Sequence, residues 1–422
     1  MLTISVNLEI MNFNPVILSI PIYFLLIAIE LLIQQFPKKK LYRLNDAVTN
    51  ISYGITQQLT GTFLIIFAIG IYQFIFEHLA IFNIPSNAFT LILLFILVDF
   101  AYYWAHRMSH EINLLWGSHV VHHQSEDYNF SVALRQSSLQ VIWTSFFYLP
   151  LALFGFNTLD FALIAALTTV YQFWIHTETI KKLGPLEYIF NTPSHHRVHH
   201  GRDPKYIDKN HAGVLITWDK LFGTFQKEEE KPCYGITRPV KSWNPVWANL
   251  DHYVFMWSDI KKIGSLQNKI KYIFKKPGWY PEELGGYQAA PLVDKNNYEK
   301  FETRSFPAVN YYVLFQYILT LASTAFFLFN KSSYTLNESA FFVFLIIITI
   351  VNCGALFEFK NWVLLAEKVR ITLFSGIMIF LSFINAWDIM LLTAGLVYLF
   401  VSMIWLFNID FNRSEVPEIQ KI

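Results

Sequence analysis

Nine stretches of the chain are almost wholly apolar: Pro15–Gln34, Gly61–Phe76, Phe89–Trp104, Leu139–Phe156, Thr158–Trp174, Pro307–Asn330, Ala340–Phe359, Ile371–Ala386 and Ile389–Phe407. A helix of about 18 or more apolar residues is long enough to cross the hydrocarbon of a bilayer. The stretches at Gly61, Thr158 and Ile371 are short and need tilt or interfacial flanks to do so. One such run suits the core of a soluble protein, but nine do not. The pattern predicts an all-α, polytopic membrane bundle of about nine spans, since backbone groups in lipid have to be satisfied within the segment.

Composition agrees. The chain is 54% hydrophobic and only 15% charged, against roughly a quarter charged in soluble domains. A net charge of +1 gives no basis for nucleic-acid binding. Lysine and arginine are spread unevenly. Lys38, Lys39, Lys40 and Arg43 follow the first stretch, and Lys360, Lys368 and Arg370 lie between the seventh and eighth. The segment Glu77–Asn87 and the turn at Asn157 have none, and Lys331 stands alone. Carried through nine spans, the positive-inside rule puts the N-terminus outside and the C-terminus in the cytoplasm. No basic region or small-residue cleavage site precedes the first apolar run, so it reads as an uncleaved span.

Between Lys227 and Phe306 the chain turns polar. Lys261, Lys262, Lys269, Lys271, Lys275 and Lys276 alternate there with Ile263, Ile270, Ile273 and Phe274, the pattern of an interfacial helix on anionic lipid. The expected organisation is an N-terminal membrane region over 1–88, a histidine-bearing domain with a polar cap over 89–306, and a four-span region over 307–422. The last holds no histidine and no recognisable chemistry.

Eleven of the 13 histidines fall between His106 and His211. His106 and His110 stand at i, i+4. His119, His122 and His123 form HxxHH, and His196, His199 and His200 repeat it. Residues three and four apart share a helix face, so each cluster aims imidazoles at one point, as metal ligation requires. Eight nitrogens are too many for one ion and suit two. The clusters follow the ends of the third and fifth apolar stretches, which the charge rule places on the cytoplasmic side. Asp99, seven residues before His106, is either an acceptor for a ligand imidazole or an interfacial carboxylate. A metal-binding or metal-transporting membrane protein is the alternative to an enzyme, although transport favours intramembrane carboxylates along a pathway.

With these motifs the chain resembles the fatty acid hydroxylase/sterol desaturase superfamily of membrane di-iron oxygenases. "HRMSHEINLLWGSHVVHHQSEDYNFSVALRQS", "FWIHTETIKKLGPLEYIFNTPSHHRVHHGRDPKYIDKNHAGVLITWDKLFGTF" and "YGITRPV" are similar to the branch that cleaves glyceryl ethers with iron, O2 and a reduced pterin, over about residues 30–250. The resemblance implies that His106, His110, His119, His122, His123, His196, His199 and His200 ligate two iron ions, with His176 a ninth. It implies hydroxylation of a lipid C–H bond, at the carbon beside the ether oxygen of an alkylglycerol, releasing a fatty aldehyde and glycerol. Another lipid, fatty acyl, sterol-like or carotenoid, is the alternative substrate. Glu111 is the candidate to hold a tetrahydrobiopterin-like donor, and Glu178 stands near His176. His195 falls outside the HxxHH spacing, and His211 stands where the resembling enzymes carry tyrosine. Trp218, Asp219 and Phe222 of "WDKLFGTF" read as packing under the site. Cys233 and Cys353 form no CxxC, haem or iron–sulfur motif. Electrons therefore come from outside, from the pterin or from a separate donor protein.

Overall fold

The computed structural model describes residues 15–36, 40–295, 297–303, 305–384 and 388–409. Lys38, Lys39, Ala386 and both termini lie outside them. The described residues are helical, with no strand beyond isolated bridges such as Phe190 with Leu215. Two compact units emerge: residues 1–241 with 246–301, and residues 242–245 with 302–422.

The first unit begins with α1 (Pro15–Ile33) and α2 (Leu44–Leu79). Glu30 is fully buried in the apolar α1, where its carboxylate accepts from the Tyr42 and Thr177 hydroxyls and, at 2.8 Å, from the Phe130 amide. These bonds satisfy a charge that lipid would exclude. The 36 residues of α2 exceed a bilayer's thickness at 1.5 Å per residue, and the helix bends by 41° between Leu44–Leu64 and Phe67–Leu79. The next helix, α3 (Ala88–Glu111), is started by an Asn87–Thr90 capping box. Its apolar length ends in His106 and His110. Only Ile112 separates it from α4 (Asn113–His123), which carries the first HxxHH.

After α5 (Phe130–Ala133) come α6 (Gln140–Thr144), a short 3-10 turn, α7 (Leu149–Phe154) and α8 (Thr158–Tyr171). Gly155 ends α7 at φ +99°, with the Phe82 carbonyl where a side chain would stand. Only glycine fits that reversal. Then follow α9 (Pro193–His199) and α10 (Thr217–Leu221), and in the polar stretch α11 (Pro245–Lys262) and α12 (Leu266–Phe274).

The second unit has α13 (Pro307–Asn330), α14 (Leu336–Phe357), α15 (Val363–Ile384) and α16 (Ile389–Phe407). α15 begins eight residues before the apolar stretch that marks it in sequence, and Lys368 and Arg370 lie within it, not in a loop. Arg370 is buried beside Glu367. Glu367 also accepts from the Tyr312 hydroxyl at 2.7 Å and the Asn352 amide at 2.9 Å. Arg370 donates to Gln316 and Tyr398, both at 2.9 Å, so each of the four helices supplies a partner. A pair satisfied on every side is tolerated in an apolar bundle.

Among the described residues four helices are long and apolar enough to cross a membrane, and five if the bent α2 counts as one. Leu18–Ile33, Gln140–Phe154 and Thr158–Tyr171 are apolar but shorter. The fourth and fifth apolar stretches thus form a short hairpin turned at Gly155 and Asn157, and α15 carries charge that its hydropathy hides.

Replacing Arg370 by leucine should strand the Glu367 carboxylate and cost about 3–5 kcal/mol in denaturant unfolding of the detergent-solubilised protein, while the E367L/R370L double variant should lose less. A double variant as unstable as the single one would mean that the pair itself sustains the bundle.

Candidate metal centre

The histidines converge from four places in the first unit: the end of α3, α4, the segment after α8, and α9. His106, His110, His119, His123 and His199 each place one ring nitrogen within 4.8 Å of the others, and His122, His176, His196 and His200 do the same in a second group. All nine are buried. The groups adjoin, with the His123 and His200 rings stacked at 4.5 Å. α9 opens with Pro193 at its first turn, where a missing N–H is harmless, and one helical turn then delivers His196, His199 and His200 to both groups.

The backbone decides which nitrogen each ring offers. His122 directs Nδ1 to the Arg135 carbonyl at 2.9 Å, and His176 directs Nδ1 to the Gln172 carbonyl at 2.7 Å. A carbonyl only accepts, so both rings carry their proton on Nδ1 and an acceptor lone pair on Nε2. Yet the two Nε2 atoms stand 3.2 Å apart, with no proton to share in these neutral tautomers. Two facing lone pairs repel unless a cation lies between or beside them. The first group repeats the arrangement. His106 Nδ1 meets the His211 carbonyl at 2.7 Å, and His199 Nδ1 meets the Lys209 carbonyl at 2.9 Å. Nε2 of His110 and of His199 is buried without a hydrogen-bond partner. Buried polar atoms left unpaired in this number call for an unseen partner, and an all-imidazole donor set suits a transition-metal ion.

Electrostatics keeps the rings ready. Burial, then repulsion from neighbouring imidazoles, holds His123, His199 and His200 well below the usual histidine range, and burial brings His122 down to about 4. Neutral imidazole is the form that binds metal.

One loop orients the first group. Asp208 receives His110 Nδ1 at 3.3 Å, while Lys209 and His211 supply the carbonyls for His199 and His106. Two buried carboxylates clamp this loop. Asp219 accepts the His211 and Ala212 amides, both at 2.8 Å. Asp99 accepts the Val214 and Leu215 amides at 2.8 and 3.0 Å and the Trp218 indole at 3.0 Å. Asp99 therefore touches no imidazole, and the expected role as acceptor for one falls to the His211 carbonyl. Its oxygens are spent on three N–H donors that the loop leaves otherwise unpaired.

Glu111 forms an ion pair with Arg107 at 2.9 Å and joins neither group. Glu178 pairs with Lys231 at 2.7 Å and joins neither group. His195 is buried against Phe225, outside both groups. His211 packs beside the first group, 5.0 Å from the His110 ring, but its nitrogens fall outside the cluster of five. Trp218 and Phe222 pack with Phe100 beneath the loop.

A cavity of about 360 Å³ opens beside the groups. His110, His123, His199 and His200 line one side, Trp116 and Phe255 add aromatic faces, and Asp208, Lys276, Arg238 and Asp251 bring charge. Beyond the histidines, sequence reading missed Trp116, Asp208, Arg238, Asp251 and Phe255 and took Lys276 for an interfacial lysine; these wall residues come from segments up to about 160 positions apart. The signal present was "YGITRPV", which contains Arg238. Glu111 does not line the cavity, but its charge acts on both Asp208 and Lys276.

A family model described as fatty acid hydroxylase matches residues 91–224, the span of both groups. Alkylglycerol monooxygenase of Homo sapiens is 40% identical over 358 residues, covering 84% of this chain and 80% of the human protein. The chain belongs to the alkylglycerol monooxygenase family. Its relative from Xenopus tropicalis is 37% identical over 83% of this chain and 79% of its own. An ornithine lipid hydroxylase of Rhizobium tropici is 32% identical over 33% of this chain and 42% of its own. No solved structure matches. As a member of this family the chain is an O2-dependent lipid monooxygenase and an integral membrane protein, and family and histidine groups together give it an iron site. The 358 matched residues reach well beyond the stretch 30–250 that carries the motifs.

His199→Ala should remove much of the iron measured by elemental analysis while the protein still inserts into membranes, and His211→Ala should retain most of it. Equal losses from the two changes would contradict the grouping.

Proposed function

We propose that the chain oxidises alkylglycerol-type ether lipids at the carbon beside the ether oxygen, with one iron at each histidine group and a reduced pterin as electron donor. The facing Nε2 atoms of His122 and His176 carry the proposal, because their carbonyl-locked tautomers aim two lone pairs at one point, the arrangement that a shared cation uses. The five-nitrogen and four-nitrogen groups offer separate places for two ions. Iron held there supplies the reductive activation of O2. In the balanced reaction, ether lipid, O2, two electrons and two protons give a hemiacetal and water. The hemiacetal then breaks its carbon–oxygen bond to release a fatty aldehyde and glycerol.

The chain's own residues prepare that chemistry. The carbonyls of Arg135, Gln172, Lys209 and His211 hold the rings, so binding costs little rearrangement. The charged cavity suits a polar donor. Its acidic side is Asp208, with Glu111 behind it, and a carboxylate complements the amino-pyrimidine edge of a pterin. Burial raises the Asp208 carboxyl, and Lys276 at 2.5 Å opposes that rise. The Trp116 and Phe255 rings offer stacking surfaces to a flat heterocycle.

We place the groups and the C-terminus on the cytoplasmic side and the N-terminus outside. Lys38, Lys39, Lys40 and Arg43 after the first apolar stretch and Lys360 before α15 support this; with α1 and α15 counted as crossings, replacing the fourth and fifth spans by a hairpin leaves the parity unchanged. A tag at Lys39 or within Lys227–Lys231 should report the cytoplasm and a tag near Asn83 the opposite side, by protease accessibility in sealed vesicles. A cytoplasmic signal at Asn83 would overturn the orientation.

Purified protein should turn over an alkylglycerol with tetrahydropterin as the sole added reductant. Glu111→Gln should raise the KM for the pterin several-fold and leave iron content intact. Turnover supported only by a ferredoxin or cytochrome, with pterin inert, would move the chain to another lipid hydroxylation.

A further inference from the structure

The two cap helices that wall the cavity have a second face. α11 turns Asp251, His252 and Phe255 toward the cavity, and α12 with the residues after it contributes Tyr272 and Lys276. The helices pack on each other through Met256, Ile263 and Tyr272, all buried. Away from this contact each exposes an apolar stripe. On α11 it comprises Leu250, Val254 and Trp257, the last 60% exposed; on α12 it comprises Leu266, Ile270 and Phe274, with Leu266 73% exposed. The spacings are i, i+4, i+7 and i, i+4, i+8, so each stripe occupies one helix face.

We propose that these stripes lie in the interfacial layer of the bilayer the chain spans, and that α11 and α12 form a collar holding the cavity at headgroup depth. Two observations select lipid as the occupant. The first is charge: Lys261, Lys269, Lys271 and Lys275 flank the stripes, an arrangement complementary to anionic headgroups. The second is continuity with an apolar surface. Asn249 of α11 accepts from the Ser137 hydroxyl at 3.0 Å and the Ser138 amide at 3.1 Å. The chain continues from there into the apolar segment Gln140–Phe154, which exposes Ile142, Phe146 and Phe154. The exposed face of α11 therefore begins where an apolar helix of the bundle leaves the cap. An ether lipid has its reacting carbon just below its headgroup, so a cavity held at that depth receives it by lateral movement within the leaflet. This use of the collar rests on the proposed substrate, whereas its location in the interface does not.

The test is site-directed spin labelling of the full chain, with Cys233 and Cys353 replaced, in vesicles of phosphatidylcholine containing phosphatidylglycerol. Nitroxides at Val254 and at Ile270 should collide several-fold more often with O2 than with an aqueous nickel chelate. A label at Lys205, on the exposed part of the cap, should show the reverse. Water-like collision rates at Val254 and Ile270 would overturn the proposal. So would labels shielded from both reagents, which would indicate a protein partner or a second copy. The K269Q/K271Q/K275Q variant should show a smaller O2 preference at Ile270 in phosphatidylglycerol vesicles, while an unchanged value would remove anionic lipid from the assignment. None of these readouts depends on turnover, so failure of the collar and failure of the ether-lipid reading are separable.

Discussion

Imidazole nitrogens facing one another across about 3 Å, with their protons committed elsewhere, are the constraint on which the rest of this structure depends. A polypeptide does not gather nine buried rings without compensation, since each forfeits hydration and repels its neighbours' charged forms. The carbonyls of Arg135, Gln172, Lys209 and His211 turn four of those rings so that lone pairs converge. Much of the surrounding polar structure serves these acceptors. Arg135 is anchored by its guanidinium to the Val121 carbonyl at 2.7 Å and to Asn50 at 2.9 Å. Asp219 and Asp99 hold the loop that carries the other carbonyls. The repulsion among these lone pairs and their suitability for a cation are two aspects of one arrangement.

The two histidine groups were legible because helical spacing is geometric: i, i+3 and i+4 positions converge whatever surrounds them, and the HxxxH and HxxHH runs needed no tertiary information. His176 was legible only through family resemblance, as a single histidine after a helix has no spacing to announce it. Asp99 shows where spacing misleads. Seven residues before His106 is the right helix face, but the competing N–H donors of Val214, Leu215 and Trp218 come from a loop and the start of α10, more than 110 positions away. The cavity was illegible for the same reason, since its wall joins Trp116, Asp208, Arg238 and Lys276 from four segments.

Membrane architecture was legible in class but not in detail. Hydropathy found the apolar stretches, and the all-helical fold follows from them. It did not reveal that Gly155 and Asn157 turn two of them into a short hairpin. Nor did it show that Arg370 belongs inside a helix, its charge balanced by Glu367 and its further N–H donors accepted by Gln316 and Tyr398 on two other helices. A charge count treats such a residue as a loop marker because it sees no partner.

X-ray absorption at the iron edge of the purified protein tests the central claim most directly. The account predicts about two irons per chain, each in a nitrogen-rich shell with the outer-shell scattering of several imidazoles and no sulfur. A single iron per chain, or a shell dominated by carboxylate oxygen with little imidazole scattering, would contradict it.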